Sequence, residues 1–366
     1  MSRERVNVLI TGAGGAGYPL IFKALRASQR YEARVVAADM SPLSGNLYRP
    51  EWVDAAYCVP AVDAADYLDV MFEIIRSEAI CFWLSAVDEE LPVMARHKAQ
   101  LQSLGCRTVL PPAEPLEVAF DKKATDEALR DVVALPRTIF PDASADLAQV
   151  FEQLGGAVVV KACRTRGNRH NYKADSFDDF AHYVGMFRRS GIDFLCQAFV
   201  DGDEYNVSLL ADEAGNTIYA AARQKIDPPR TRPNTFAGIV RRDAEMEAAA
   251  SAAVRQLGLY PGTSNVEFLK PAGGRPVVID VNGGRHAAQD YNLVHLGINI
   301  PELLLDMAHG LEVTPVPPAA IGSGLISLKF VDEYAIRLSD LMQQCRRSEQ
   351  DAFLSDVRAA IEELEQ

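Results

Sequence analysis

The sequence predicts an α/β protein: a parallel sheet covered on both faces at the N-terminus, then lobes in which strands and helices mix as α+β. Three observations carry that prediction. Short apolar runs alternate with helix-spaced stretches through residues 1 to about 118, the pattern of strands with helices on both faces. A glycine cluster, Gly12-Ala-Gly14-Gly15-Ala-Gly17, follows the first of those runs. Later, strand-like runs come in pairs joined by short turns containing glycine, as hairpins do.

Val6-Asn-Val-Leu-Ile10 and Arg34-Val-Val-Ala-Ala-Asp39 read as the first two strands. Ala79-Ile-Cys-Phe-Trp-Leu84 and Cys106-Arg-Thr-Val-Leu110 read as the next two, the last stopped by Pro111-Pro112. Between them Tyr67, Val70, Met71, Ile74 and Ile75 recur at helical spacing. Asp121 to Arg130 reads as a helix opened by acidic residues, Pro136 to Phe140 as a strand and Leu147 to Leu154 as a helix. Ala157-Val-Val-Val-Lys161 is a strand ending in lysine, followed by a polar loop with Arg164, Arg166, Gly167, Asn168, Arg169 and His170. A helix is expected from Phe177 to Phe187, a strand from Phe194 to Val200 and another from Tyr205 to Leu210. Gly215-Asn216 turns the chain into Thr217 to Ala222. Residues 223–240 read as irregular and basic, and 243–257 as an Ala-rich helix. Val266 to Leu269 and Pro276 to Asp280 then form a hairpin. The linker Thr314-Pro-Val-Pro-Pro318 leads to a strand, Leu325 to Phe330. A terminal amphipathic helix carries Phe353, Leu354, Val357, Ile361 and Leu364 on one stripe.

A net charge of -13 over 366 residues argues against a nucleic-acid partner held on a broad basic face. It leaves local anion pockets open. No stretch approaches the roughly 18 apolar residues that span a membrane, so no membrane partner is expected. Polar Met1 to Arg5 runs straight into a strand, unlike a signal peptide. The six cysteines lack metal-ligand spacing and several lie in apolar runs, so they read as reduced, buried thiols of a cytoplasmic protein. The six histidines show no HExxH and no zinc-like cluster.

The chemistry concentrates in Asn265-Val-Glu267 and Asp280-Val-Asn282. Side chains two apart on a strand share a face, so Asn265 and Glu267 can face one site while Asp280 and Asn282 face it from the neighbouring strand. Carboxylates and amide oxygens converging in this way suit a hard divalent cation that also holds phosphates. Lys122 and Lys161 can supply the matching positive charge, and the combination reads as an ATP-using enzyme. The glycine cluster has two readings. With Asp39 ending the second strand it could hold a dinucleotide, or it could be a tight crossover in which glycines allow close packing.

At Phe120-Asp-Lys-Lys-Ala-Thr125, Val158-Val-Val-Lys161, Gln197 to Asn206, Asn265-Val-Glu267 and Ile279-Asp-Val-Asn282, in this order and spacing, the chain resembles the ATP-grasp superfamily. The resemblance points to its carbamoyl-phosphate-synthase-like and amino-acid ligase branches and covers about residues 1–310. It implies an ATP-grasp fold behind a Rossmann-like domain, divided as 1–118, 119–195 (first lobe), 196–312 (second lobe with the metal site) and 313–366 (strand and helices). The N-terminal glycines then become structural, or line the acceptor pocket.

The resemblance also assigns roles. Lys122 (or its neighbour Lys123) and Lys161 face the phosphates. Gln197, Ala198, Phe199 and Val200 surround the adenine, and Glu204 takes the ribose hydroxyls. Glu267, Asp280 and Asn282 bind Mg²⁺ or Mn²⁺. Lys161, Asn282 and Arg285 form the catalytic set. Three departures stand out. Asp280 replaces a more usual Glu, Gly283-Gly284-Arg285 replaces Pro-Arg after the asparagine, and the phosphate loop is Arg-rich from Arg164 to His170. His286 is a candidate acceptor contact, His295 reads as structural, and Arg232, Arg241 and Arg242 divide evenly between substrate recognition and solvated surface.

The implied activity is ATP-dependent carboxylate–amine ligation through an acyl phosphate, releasing ADP and phosphate. Its partners would be small carboxylates and amines, with a homodimer through the first domain or the terminal helix. The alternatives are a bicarbonate-using carboxylase or carbamoyl-forming enzyme, and a protein that binds ATP without turnover.

Overall fold

β1 (Glu4–Thr11) is an inner strand of the first unit's sheet, parallel to the central β2 (Tyr31–Asp39) on one side. β3 (Ala55–Cys58) continues the sheet beyond β2, and β4 (Phe82–Ser85) flanks β1 on its other side. The short strand Cys345–Arg347 completes five strands, every pairing parallel. Val8, Leu9 and Ile10 of β1 and Val35 to Ala38 of β2 are all buried, so both faces of the pleat are covered, as continuous apolar runs require. Helices α1 (Tyr18–Arg26) and α2 (Tyr67–Ser77) contribute Ile21, Phe22 and Leu25, and Val70, Met71, Ile74 and Ile75, to the buried set.

The computed structural model describes residues 3–15, 17–164, 170–226, 236–329, 335, 337 and 345–347. The expected terminal helix lies outside the described residues. So does the stretch 165–169 of the Arg-rich loop. The first unit holds the chain up to Ser85, Ala99–Arg107 and the strand Cys345–Arg347. The second holds Ala86–Lys98 and the chain from Thr108 onward to its last strand.

Two predicted strands shrink. The run at 79–84 enters the sheet only at Phe82, because Ala79 has a positive φ of 48° as the chain leaves α2. Cys106 to Leu110 contributes a single parallel bridge, Arg107 to Phe82. The glycine turn is filled by its own neighbours. Asp39 Oδ2 accepts the N–H of Gly14 at 2.8 Å, and Asn46 Nδ2 donates to the carbonyls of Ala13 and Gly15. A Cβ on Gly14 would run into Ser44. The close packing of the second reading is present here, and Asp39 places its oxygens on the backbone N–H groups of Gly14 and Ser41.

From α3 (Glu90–Arg96) the chain passes through α4 (Lys98–Ser103), α5 (Ala113–Phe120) and α6 (Lys122–Leu129). Asp121 caps α6 by accepting the N–H groups of Lys123 and Ala124, the reason the helix starts where it does. The second unit then builds two antiparallel sheets. The first takes β5 (Thr138–Ile139), β6 (Val158–Ala162), β7 (Asn171–Ala174) and β8 (Phe194–Ala198) in the order β5–β8–β6–β7. With α7 (Leu147–Gln153) and α8 (Phe177–Ser190) it buries Val150, Val158, Val160, Phe180, Val184 and Cys196 in one core. Strand alternation therefore turns Lys161 and Gln197 to the opposite face.

The second sheet takes β9 (Asp203–Ala211), β10 (Thr217–Lys225), β11 (Ala237–Val240), β12 (Gly262–Lys270), β13 (Val277–Gly283) and β14 (Ile326–Leu328) in the order β13–β12–β9–β10–β11–β14. Helix α9 (Ala244–Leu257) packs on β9, β10 and β12. Of residues 223–240, expected to be irregular, 223–225 are the end of β10 and 237–240 are β11; 227–235 lie outside the described residues. Helix α10 (Ile300–Ala308) follows a 3-10 segment, Ala288–Leu296. Among the residues whose side chains are described, Cys58, Cys106, Cys163 and Cys196 are free and buried and Cys81 is free and partly exposed. Among the described residues no helix is long and apolar enough to cross a membrane.

Candidate active site

β9 alternates Glu204, Asn206 and Ser208 with Tyr205, Val207 and Leu209, so one face of its sheet is polar and the other apolar. The register extends that face sideways. Glu267 lies opposite Asn206 on one side and Asp280 on the other, and Asn265 lies opposite Ser208 and Asn282. Arg223 on β10 faces Asn206, which brings Lys225, two residues on, beside Glu204.

Lysines neutralise the acids at one end of this face. Lys122 Nζ lies 3.0 Å from Asp280 Oδ1. Lys225 Nζ lies 3.2 Å from Glu267 Oε2 and 3.6 Å from Glu204 Oε2. Lys122 reaches the cluster because its backbone N–H bonds the carbonyl of Cys163 at 2.9 Å, which ties the start of α6 to the end of β6. Its neighbour Lys123 instead lies over the Phe140 ring, so Lys122 is the lysine at the acids. Burial lowers the pKa of Lys122, but Asp280, with help from Glu267 and Asp88, more than offsets this and raises it. Asp280 mirrors the effect: burial raises its pKa, while Lys122, Lys161 and Arg285 bring it below the usual carboxylate range.

Lys161 is buried, and its Nζ donates to Gln197 Oε1 at 2.8 Å. Burial pulls its pKa down to about 8, only partly countered by Asp280 and Glu267 and deepened by Lys122. Gln197 is thus turned toward Lys161, and its Nε2 donates to Thr138 Oγ1. The neighbouring Ala198, Phe199 and Val200 are half-buried, with Lys173 Nζ 4.2 Å from the centroid of the Phe199 ring. Arg164 pairs with Asp121 at 3.0 Å.

Arg285 pairs in a fork with Asp88, its Nη2 lying 3.1 Å from Asp88 Oδ2 and 2.8 Å from Asn282 Oδ1. Asn282 therefore directs its oxygen at Arg285. The two glycines shape this turn. Gly284 adopts φ +76°, where an added Cβ would press on Leu91 and Leu116; both are costs that glycine avoids. Asp88 had no sequence candidacy, and its only signal was an acid three residues past the end of a parallel strand.

The rest of the polar face is closed over by residues 286–290. His286 is 3% exposed and bonds Ser208 Oγ at 3.1 Å and Tyr219 Oη at 2.9 Å; burial lowers its pKa to about 3. It is a structural histidine, whereas His295, expected to be structural, is exposed. Asn206 Nδ2 donates to Asn265 Oδ1 and Asp290 Oδ1, so Asn265 belongs to this buried network. Arg223 meets Asp290 and Gln289, Arg241 meets Gln224, and Arg242 meets Glu247. Arg223, Arg241 and Arg242 thus have internal partners, and among the described residues of the stretch Lys225 is turned to Glu204 and Glu267. Arg232 lies outside the described residues.

Among the described residues no group of three or more His, Cys, Asp or Glu side chains could hold a metal ion. Glu267 and Asp280, facing each other across two strands, instead fit a hard cation that brings water and phosphate oxygens as its remaining ligands.

Residues 8–109 match the family model described as PylC-like, N-terminal domain, and residues 119–286 match that of the ATP-grasp domain. Curated relatives include the carbamoyl phosphate synthase large chains of Pseudomonas aeruginosa and Thermotoga maritima, both 22% identical. The matches cover 75% and 86% of this chain but only 27% and 29% of those proteins, so the chain spans less than a third of their length. Similar solved structures include an L-amino acid ligase from Bacillus licheniformis, with a TM-score of 0.62 and 17% identity over 87% of this chain and 77% of that one. A biotin carboxylase from Campylobacter jejuni, in complex with β,γ-ATP, gives a TM-score of 0.67 and 14% identity over 87% and 74%. These likenesses show a shared fold. Residues 119–286 are thus an ATP-grasp domain, set behind a PylC-like N-terminal domain at residues 8–109.

Proposed function

We propose that this chain is an ATP-dependent carboxylate–amine ligase that forms an amide or peptide bond and releases ADP and phosphate. The observation that carries the reading is the ammonium of Lys122 against Asp280, which lies opposite Glu267 on one polar sheet face, with the buried Lys161 near enough for both acids to act on its charge. Phosphoryl transfer is mostly positioning plus charge neutralisation, and this face offers both. Lys122 and Lys161 would hold the β- and γ-phosphates. Gln197, Ala198, Phe199 and Val200 would flank the adenine, and Glu204 would take the ribose hydroxyls. Glu267 and Asp280 would hold Mg²⁺ or Mn²⁺, which supplies charge neutralisation of the transferring phosphoryl group. Asn282 and Asp88 hold the Arg285 guanidinium in place, so Arg285 can bind the substrate carboxylate, and later the acyl phosphate formed from it, without reorganising. The amine then displaces phosphate from the acyl carbon. The free thiols suit a reducing, cytoplasmic setting.

Within the superfamily this reading places the chain with amino-acid ligases, supported by its likeness to the Bacillus licheniformis enzyme. Likeness to biotin carboxylase favours a second reading, in which bicarbonate takes the place of the carboxylate. ADP release with Mg·ATP, screened against pooled amino acids and short peptides alone and in pairs, and separately against bicarbonate, decides between them. Release that requires a specific carboxylate–amine pair supports ligation. Release with bicarbonate alone supports the second reading, and silence in every arm, with ATP still bound, refutes both.

A further inference from the structure

Lys225 lies where the roles assigned to its neighbours leave it without one. Its ammonium bridges Glu204, the candidate ribose acid, and Glu267, a candidate metal ligand, at 3.6 and 3.2 Å. Lys122 does the same for the other candidate metal ligand, Asp280, at 3.0 Å. Each carboxylate that would bind the cation thus already has an ammonium against it. Among the described residues the charges of the cluster balance: Glu204, Glu267 and Asp280 give three negatives against the three positives of Lys122, Lys161 and Lys225. Arg285 and Asp88 balance each other beside it.

We infer that Lys225 is an internal counter-cation that keeps the Glu267–Asp280 pair closed to a free divalent cation and releases it only when a nucleoside polyphosphate arrives. The inference rests on the nucleotide-and-metal reading above and adds an order to it. A divalent cation alone would bring two positive charges into a neutral cluster, against three ammonium groups, and would have to displace two of them. A triphosphate reverses that balance. Its negative charge draws the lysines off the carboxylates, and its ribose competes with Lys225 for Glu204, loosening one of the two contacts that hold the ammonium. Glu267 is then open to a cation that arrives with phosphate oxygens as further ligands. Metal and nucleotide must therefore strengthen each other's binding by one and the same factor.

The test is Mn²⁺ binding by the full chain, read from the EPR signal of the free ion with Mn²⁺ alone and with Mn²⁺ plus a non-hydrolysable ATP analogue, the second arm measured against a protein-free control for the Mn²⁺ that the analogue itself holds. In the wild type the analogue is expected to tighten Mn²⁺ binding at least about tenfold, a coupling of roughly 1.4 kcal/mol. Lys225→Met should tighten binding of Mn²⁺ alone by a similar factor and shrink the coupling accordingly. Lys225→Arg, which keeps the charge, should behave as the wild type, and Glu267→Gln should lose Mn²⁺ in both arms. Near-UV circular dichroism checks the fold, and Lys225→Gln replaces the methionine variant if that one does not fold. The inference is overturned if neutral substitution leaves Mn²⁺-only binding unchanged, or if Lys225→Arg tightens it equally. Mn²⁺ that binds the wild type in neither arm overturns the nucleotide-and-metal reading itself.

Discussion

Replacing Lys161 by methionine should leave the ligand-free protein no less stable at neutral pH, and less stable only in alkali. Lys161 lies buried on β6 with its pKa moved from 10.5 to about 8. At about 1.4 kcal/mol per pKa unit, holding its charge at pH 7 costs the folded state roughly 3 kcal/mol. Methionine removes that cost and also removes the donor to Gln197 Oε1, and a buried acceptor left without its donor costs about 1–3 kcal/mol. At pH 7 the variant should therefore fall between parity and about 2 kcal/mol more stable than the wild type. The sign then turns with pH. Between pH 8 and 10.5 the unfolded chain still holds the lysine proton while the folded one has released it, so wild-type stability rises through that window. By pH 10.5 only the lost hydrogen bond remains, and the variant should be about 1–3 kcal/mol less stable. Urea unfolding at the two pH values measures this directly. A deficit of the same size at both would refute the argument, because it would mean that the buried charge costs nothing. Under the proposed function the same variant loses nucleotide affinity, so stability and binding should move apart.

Asp88→Ala leaves the guanidinium of Arg285 paired only with Asn282. Since both partners keep slight exposure, the expected loss is about 2–4 kcal/mol in urea unfolding, toward the lower end of the range for a broken buried pair. His286 is held by burial at a pKa of about 3 against an ordinary 6.5, so below pH 6.5 the unfolded chain takes up a proton that the folded chain refuses. Stability that is present above pH 6.5 drains away as the pH falls toward 3. His286→Gln should therefore lose about 2 kcal/mol less than the wild type between pH 7 and 5, seen as a shallower acid limb of the unfolding curve. Gly14→Ala drives a methyl into Ser44 and should cost about 1–3 kcal/mol by thermal unfolding, the usual range for overpacking.

Much of the fold was legible because the strands announce their burial. The continuous apolar runs Val6 to Ile10 and Arg34 to Asp39 predicted a sheet covered on both faces, and β1 and β2 form its centre. Helices α6 and α9 were placed within about one residue, because the aspartates Asp121 and Asp243 cap their first turns. The failures have local causes. Ala55-Ala-Tyr-Cys58 is four residues long with no strong alternation, so β3 passed unseen. The predicted strand at 106–110 looked like a strand in composition, but a strand needs neighbours, and it finds one only at Arg107. Arg223 to Lys225 seemed irregular because their charges masked a period of two that becomes visible once β9 supplies the register.

The site was legible where chemistry is written in residue types, and silent where it is written in pairings. Glu267 and Asp280 could be picked out because two acids at matching positions of a hairpin have few structural uses, and the register does set them opposite each other. That Asn265 serves a buried network while Asn282 turns to Arg285 could not be read, since both asparagines have the same sequence signature. Asp88 lies 197 residues from the arginine it holds, and no local pattern marks an acid whose partner is so distant. Lys225 shows the same limit from the other side. In the sequence it was one cation in a basic stretch, indistinguishable from Arg223, Arg241 and Arg242. In three dimensions those three have partners within the protein's own framework, and Lys225 bridges Glu204 and Glu267. Among the described residues the basic stretch thus resolves into three arginines held by framework partners and one lysine set against the site acids, and what separates them is the position of the acids, which only the fold supplies.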